Sequence, residues 1–135
     1  MNDPRIAFFD RIAANWDHSG QNPLETIDRL GQLDEHLRLT PGLDVLEVGC
    51  GTGMLLFRIA PHCKAYCGTD FSSVALDYVR RHLDRLPAGS ADVRLIQAAA
   101  DDFSGVEDGS FDAVVLNSIC QYFPCVDYLL DVVER

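Results

Sequence analysis

The feature that most constrains this chain is the run VLEVGCGTG at positions 45–53. Its apolar, partly β-branched first half is typical of a buried strand. Its second half places Gly49, Gly51 and Gly53 where that strand would turn into a helix. Glycine at such points permits unusual dihedral angles and lets a ligand approach the main chain without meeting a Cβ atom, and a helix start adds free N–H donors. The run therefore predicts a strand, a ligand-binding turn and a helix, in preference to a plain tight turn.

The spacing of the three glycines narrows the class of ligand. It is Gly-x-Gly-x-Gly, and Met54 stands where a dinucleotide fingerprint has its third glycine. No Gly-Lys-Ser or Gly-Lys-Thr follows, so a P-loop is excluded. Met54 argues against a nicotinamide-dependent oxidoreductase, although the sequence alone leaves that alternative open.

The rest of the chain alternates short apolar strands with amphipathic helices. Strands are predicted at 44–49, 64–70, 92–97 and 111–117, and helices at 54–60, from Ser72 to Leu86, and from 126 to 135. This alternation predicts an α/β fold with a doubly wound, mostly parallel sheet. Such a sheet binds ligands at the carboxyl ends of its strands, near the point where the strand order reverses.

Two further helices are predicted before the sheet. Asp3 and Pro4 are typical of a helix start, and Asn22 begins a second helix. We expect one domain, with N-terminal helices in residues 1–40 and a Rossmann-like core in residues 41–135.

Charge and composition exclude several function classes. Lys and Arg number 11 and Asp and Glu number 21, which gives a net charge of −10 and argues against nucleic-acid or anionic-membrane partners. The N-terminus does not read as a signal peptide, and no segment approaches the ~20 apolar residues of a membrane span. Five cysteines, an odd number, favour free thiols in a cytoplasmic protein. His62, Cys63 and Cys67 lack the spacing of a zinc site, so we expect no metal.

Asp70 ends the second predicted strand and is a candidate ligand-binding residue. A carboxylate at that place can accept both hydroxyls of a ribose. It could also cap the next helix, but the glycine turn upstream favours the ribose. Phe71 offers an apolar surface to a purine, or it packs in the core.

These stretches together carry a family resemblance. VLEVGCGTG, GTDFS at 68–72 and DGSFDAVVLNS at 108–118 resemble class I S-adenosylmethionine-dependent methyltransferases, over about residues 43–123. FFDRIAANWD at 8–17 looks like the N-terminal helix that closes over the cofactor in some small-molecule methyltransferases. GTDFS with VVLNSICQYFPCVDYLLDVV at 114–133 is similar to methyltransferase domains of nonribosomal peptide and polyketide synthetases.

The resemblance implies a binding role for each matching residue. The glycine turn would lie along the methionine and ribose of S-adenosylmethionine, with Glu47 near the amino-acid end through water. Asp70 would hold the ribose hydroxyls, Phe71 would pack on adenine, and Asn117 would offer its backbone carbonyl to the ammonium group. The residues assigned to the turn are Gly49, Cys50, Gly51 and Gly53.

The segment expected to meet adenine departs from the family pattern. The family often has Gly-Asp-Ala where this chain has alanine at 98–100, so Ala99 stands in place of the usual carboxylate. The resemblance then implies that the backbone of Ala100 and Asp101 contacts the adenine ring. It also implies that Asp101 or Asp102 takes the place of the missing carboxylate.

The resemblance implies methyl transfer to a small-molecule or carrier-bound acceptor. The sulfonium of the cofactor is an activated methyl donor, so the protein has to hold a nucleophile in line and exclude water. No catalytic base can be named from the sequence. Gln121, Tyr122 and Phe123 either face the methyl group or belong to the core. The alternative is a noncatalytic module that binds S-adenosylmethionine or another protein.

The number of strands favours that alternative. The family has seven strands and this sequence predicts four, so we expect a sheet truncated after the fourth strand. Its last strand would expose the apolar run VVLN at 114–117, which could pair with a second copy to form a homodimer.

Overall fold

The computed structural model describes residues 3–13 and 42–135. Within these ranges a helix precedes a series of strands and helices that alternate except between the third and fourth strands. The elements are α1 (Pro4–Ala13), β1 (Asp44–Val48), α2 (Leu56–Ile59), β2 (Ala65–Asp70), α3 (Ser73–His82), β3 (Asp92–Gln97), β4 (Ala113–Val115) and α4 (Val126–Glu134).

The four strands form one parallel sheet in the order β3-β2-β1-β4. The chain builds outward from β1 through β2 to β3, then returns to place β4 on the opposite side of β1. This reversal confirms the predicted α/β doubly wound sheet. Because all four strands are parallel, their carboxyl ends lie at one end of the sheet, which we call the carboxyl edge.

The core has one layer on each face of the sheet, because successive side chains of a strand point to opposite faces. On one face α2 and α3 pack over Val45 and Tyr66, both fully buried. On the other face Leu46, Val48 and Cys67 are covered by apolar side chains of the long connection from β3 to β4 and of the segment after β4. In the described chain, β4 follows β3 without an intervening helix.

Helix α3 begins as the sequence predicts. Ser72 is its N-cap, and the Ser72 hydroxyl accepts a hydrogen bond from the Ala75 N–H at 3.1 Å. Leu76 and Val79 on its apolar face are fully buried.

Three predicted elements differ in extent. The helix predicted from Ser72 to Leu86 is α3 followed by a 3₁₀ turn, Leu83–Arg85. The helix predicted at 54–60 to end at Pro61 is α2 followed by a 3₁₀ turn, Ala60–His62, that contains Pro61. Proline is tolerated there because the first turn of a helical segment does not need its N–H. The strand predicted at 111–117 pairs with β1 only through Ala113–Val115, and no described strand lies on its other side.

Helix α1 also begins at its predicted position, where Asp3 Oδ1 accepts the Arg5 N–H at 2.9 Å. The second N-terminal helix lies outside the described residues, as does Trp16. In the part of the chain that the structure describes, every helix is too short or too polar to cross a bilayer.

Candidate cofactor site

The turn after β1, residues 49–53, is anchored to the neighbouring strand. The N–H groups of Gly49 and Cys50 both donate to the Thr69 carbonyl of β2, each at 2.8 Å. Gly49, Gly51 and Gly53 have φ of 75°, 53° and 84°, values that side chains disfavour and glycine adopts readily. The sequence thus needs glycine at all three positions for backbone geometry alone.

The three glycines differ in what surrounds them. A Cβ on Gly49 would lie 2.7 Å from the Ile119 side chain, and one on Gly53 would lie 2.9 Å from the Phe57 ring. A Cβ on Gly51 would meet no atom within 4 Å. Gly49 and Gly53 therefore allow packing inside the protein, whereas Gly51 presents bare backbone to open space.

Asp70, at the end of β2, is hydrogen-bonded to this turn. Its Oδ2 accepts the Gly51 N–H at 2.9 Å, and its Oδ1 accepts the Ser72 N–H at 2.8 Å. Burial raises the pKa of Asp70, the two N–H bonds oppose that shift, and the charge of Asp10 adds to it. Each carboxylate oxygen has a second lone pair, so Asp70 can still accept hydroxyl donors from a ligand.

The side chains of Glu47 and Cys50 are both buried. Glu47 is 2% exposed, and its Oε2 accepts the Tyr66 hydroxyl at 2.6 Å. Burial raises the pKa of Glu47 to about 8, against the lowering effect of the Tyr66 hydrogen bond. Cys50 Sγ packs against Gly68, where an added Cβ would lie 2.9 Å from the sulfur. A ligand in the turn would therefore meet the backbone of Cys50, and the contact between Glu47 and a cofactor stays a prediction.

Helix α1 crosses the carboxyl edge above Asp70. The Ser72 hydroxyl donates to Asp10 on α1. The Phe9 ring lies 5.5 Å from Phe71 and 5.1 Å from Tyr122, centroid to centroid. Helix α1 thus bridges the end of β2 and the segment that follows β4, and Phe71 packs on it in this structure.

The segment after β3, residues 98–102, forms a turn beside Asp70. The Ala98 N–H donates to the Asp70 carbonyl at 3.0 Å, and the Asp102 N–H donates to the Ala99 carbonyl at 3.0 Å. Ala100 and Asp101 occupy the tip of this turn, and both are half-buried. The predicted adenine loop therefore adjoins the predicted ribose carboxylate.

Asn117 lies past the end of β4 at the same edge and is exposed. The next residue, Ser118, has a positive φ of 57°, so the backbone turns sharply just after the carbonyl that was predicted to meet the ammonium group. That contact also stays a prediction. The structure nevertheless brings the glycine turn, Asp70, the adenine loop and Asn117 to one edge of the sheet.

Three contributors to this edge were missed as site residues. Arg5 on α1 donates through Nη1 to the Tyr122 carbonyl at 3.0 Å, and Asp10 contacts Ser72. Tyr128 on α4 donates to Asp101 Oδ1 at 2.9 Å. Nothing in the sequence around Tyr128 signals that partner, because the two residues are 27 positions apart. Among the described residues, no group of three or more His, Cys, Asp or Glu side chains is arranged to hold a metal ion.

Comparison with known proteins gives one family. Residues 46–135 match the model of a family described as methyltransferase domain. Chondramide synthase cmdD of Chondromyces crocatus is 54% identical over 91 residues, which is 67% of this chain and 2% of that protein. The nonribosomal peptide synthetase asqK of Emericella nidulans is 38% identical over 91 residues, 67% of this chain and 4% of that protein. The chain thus spans a few per cent of the length of these relatives.

A solved structure gives the same fold. The N-methyltransferase NodS from Bradyrhizobium japonicum WM9, in complex with S-adenosyl-L-homocysteine, superposes with a TM-score of 0.79 at 21% identity, over 98% of this chain and 65% of that one. The match of the family model over 46–135 includes the glycine turn, Asp70 and the adenine loop. The chain belongs to the methyltransferase domain family, which confirms its resemblance to class I S-adenosylmethionine-dependent methyltransferases.

Proposed function

We propose that this domain binds S-adenosylmethionine at the carboxyl edge and transfers its methyl group to a carrier-bound acceptor. The observation that carries the proposal is the bond between Asp70 Oδ2 and the Gly51 N–H, beside open space at Gly51. It puts a carboxylate suited to ribose hydroxyls next to backbone that a ligand can approach closely. The family membership and the cofactor product named in the NodS structure support the same cofactor.

Residues at the carboxyl edge would each bind a different part of the cofactor. Asp70 would accept the ribose hydroxyls, and the glycine turn would follow the ribose and methionine portion. The adenine loop would face the base, with Phe71 as the apolar surface. When bound, the cofactor supplies an electrophilic methyl group, and this chain contributes by orienting the acceptor and excluding water.

The acceptor class is proposed from the relatives. The two synthetases described above match 67% of this chain, and one of them is named as a nonribosomal peptide synthetase. Enzymes of that kind handle aminoacyl groups, so the amine of a carrier-bound aminoacyl thioester is the acceptor that we propose. Gln121, Tyr122 and Phe123 follow β4, where the family resemblance implies that the acceptor pocket begins.

The test is methyl transfer from tritiated S-adenosylmethionine to aminoacyl thioesters of N-acetylcysteamine, which mimic a carrier-bound residue. We expect label in the amine of at least one thioester and none in the matching N,N-dimethylated thioester. Label in free amino acids as well as thioesters would point to a small-molecule acceptor. Saturable cofactor binding with no transfer to any amine or hydroxyl acceptor would instead identify a noncatalytic module.

We also propose that the chain forms a homodimer and that it is cytoplasmic. Val114 on β4 is 57% exposed, which is compatible with pairing of strand β4 with a second copy of the chain. Sedimentation velocity should then give a dimer that Val114→Lys dissociates, and a monomer at high concentration would reject the homodimer. The cysteines are all free thiols, which supports a reducing, cytoplasmic compartment.

A further inference from the structure

We propose that Tyr128 is a positioning residue of the adenine subsite, because its hydroxyl orients the Asp101 carboxylate to accept a hydrogen bond from the exocyclic amine of adenine. The inference rests on the proposed function and assigns a role within the same site. Tyr128 itself would not touch the cofactor and would act through Asp101.

The geometry gives Asp101 one fixed oxygen and one available oxygen. The Tyr128 hydroxyl donates to Oδ1 at 2.9 Å, and among residues 3–13 and 42–135 no donor is hydrogen-bonded to Oδ2. Asp101 lies at the tip of the turn closed by the Asp102 N–H and the Ala99 carbonyl. Asp101 is thus a carboxylate of the same loop, two residues after Ala99, which occupies the place of the family's usual carboxylate.

Asp102 is the less suitable of the two carboxylates. Its Oδ1 accepts both the N–H of Ser104, at 3.0 Å, and the Ser104 hydroxyl, at 2.7 Å. These bonds lower the pKa of Asp102 and hold its carboxylate against its own exposed loop. Within the part of the chain that the structure describes, the Asp101 side chain has no such local partner, and its Oδ1 instead accepts the hydroxyl of Tyr128 on α4.

Tyr128 is well placed to hold its partner. Its ring packs edge-on against Phe123 at 4.9 Å between centroids, which restricts the rotation of the side chain. Burial and the bond to Asp101 raise the pKa of Tyr128 to about 12, so the hydroxyl remains a donor at neutral pH. The positive charge of the Arg5 guanidinium on α1 interacts with both Asp101 and Tyr128.

The test compares two ligands whose bases differ in the substituent at C6 and in the hydrogen on N1 that accompanies it. S-adenosylhomocysteine carries the exocyclic amine, and S-inosylhomocysteine carries a carbonyl oxygen there. Calorimetric titration of both ligands into the wild-type 135-residue chain and Tyr128→Phe gives a discrimination ratio for each protein. The substitution keeps the ring that packs on Phe123 and removes only the hydroxyl. Tyr78→Phe on α3, whose ring stacks on His82, is the matched control.

We expect Tyr128→Phe to weaken S-adenosylhomocysteine about fivefold to tenfold, as for loss of an oriented hydrogen bond to a charged group, and not to weaken the inosine analogue. Asp101→Ala should remove the discrimination, and adding Tyr128→Phe to it should change nothing further. Equal weakening of both ligands, or an unchanged ratio, would overturn the inference while leaving the proposed function standing. Failure of the wild-type chain to bind either ligand would overturn both.

Discussion

The carboxylate of Asp70 accepts the N–H of Gly51 at 2.9 Å, and this bond joins the glycine turn after β1 to the end of β2. The same carboxylate accepts the Ser72 N–H at the start of α3. One side chain therefore fixes both the glycine turn and the start of the neighbouring helix. A site built in this way loses little conformational entropy when the ligand binds.

The first prediction distinguishes two glycines of the turn, Gly49 and Gly51, by the stability that each loses when it is replaced by alanine. Gly51→Ala should cost about 1–2 kcal/mol of folding free energy from the left-handed backbone alone, because its Cβ meets no atom within 4 Å. Gly49→Ala should cost about 1–3 kcal/mol more through overpacking against Ile119. Chemical denaturation of both variants measures this difference.

Ligand affinity should respond in the opposite order, with the larger loss in Gly51→Ala and the smaller loss in Gly49→Ala. The folded Gly51→Ala protein should bind S-adenosylhomocysteine at least tenfold more weakly than wild type, because the new methyl group enters the proposed cofactor space. Unchanged affinity in Gly51→Ala would mean that the ligand does not lie against Gly51.

The second prediction concerns Glu47 and pH. Its pKa is about 8 in the folded chain against 4.5 for an ordinary glutamate, so the folded state holds a proton that the unfolded state releases between these values. The free energy of unfolding should therefore fall as pH rises from about 4.5 to 8, with a slope from this group of at most about 1.4 kcal/mol per pH unit. Glu47→Gln should reduce that slope, because a neutral amide does not titrate.

Urea unfolding between pH 5 and 8 measures the slope. Glu107→Gln, in an exposed turn, is the control and should leave it unchanged. Part of the slope should persist in Glu47→Gln, since the pKa of Asp70 is also raised. Identical slopes in wild type and Glu47→Gln would mean that Glu47 is ionised in the folded protein.

Local sequence signals predicted most of the fold and part of the site. The glycine spacing, the Ser72 cap and the strand of residues 92–97 were readable because each depends on neighbours in sequence. Pairing partners were not readable: β4 is shorter than its apolar run because only Val45–Glu47 of β1 pairs with it. The Tyr66 hydroxyl on Glu47 and the Tyr128 hydroxyl on Asp101 likewise come from other elements.

The third prediction concerns the cap of α3. Ser72→Ala removes the acceptor of the Ala75 N–H and the donor to Asp10. It should lower the free energy of unfolding by about 1 kcal/mol, within the range of about 0.5–2 kcal/mol for lost N-caps. Thermal or urea unfolding measures it, with exposed Ser73→Ala as the neighbouring control. A loss no larger than that of Ser73→Ala would mean that the cap contributes nothing measurable.

The fourth prediction concerns the docking of α1. Phe9 packs between Phe71 and Tyr122, whereas Phe8 is 46% exposed. Phe9→Ala should increase amide hydrogen exchange in Pro4–Ala13 and leave exchange in β1 and β2 unchanged, because local opening of α1 does not require the sheet to unfold. Phe8→Ala should have the smaller effect. Equal exchange in the two variants would contradict the docking of α1 through Phe9.

The most direct test of the proposed cofactor site is calorimetric titration of S-adenosylhomocysteine into wild type and Asp70→Asn. Asparagine can still accept one of the two N–H groups, and Asp112→Asn is the control because Asp112 accepts the Asp44 N–H at 2.8 Å outside the proposed site. We predict saturable binding that weakens at least tenfold in Asp70→Asn alone, as expected when a charged hydrogen bond of about 1.5–3 kcal/mol is lost. A folded wild-type chain that does not bind, or equal affinity in Asp70→Asn, would contradict the site.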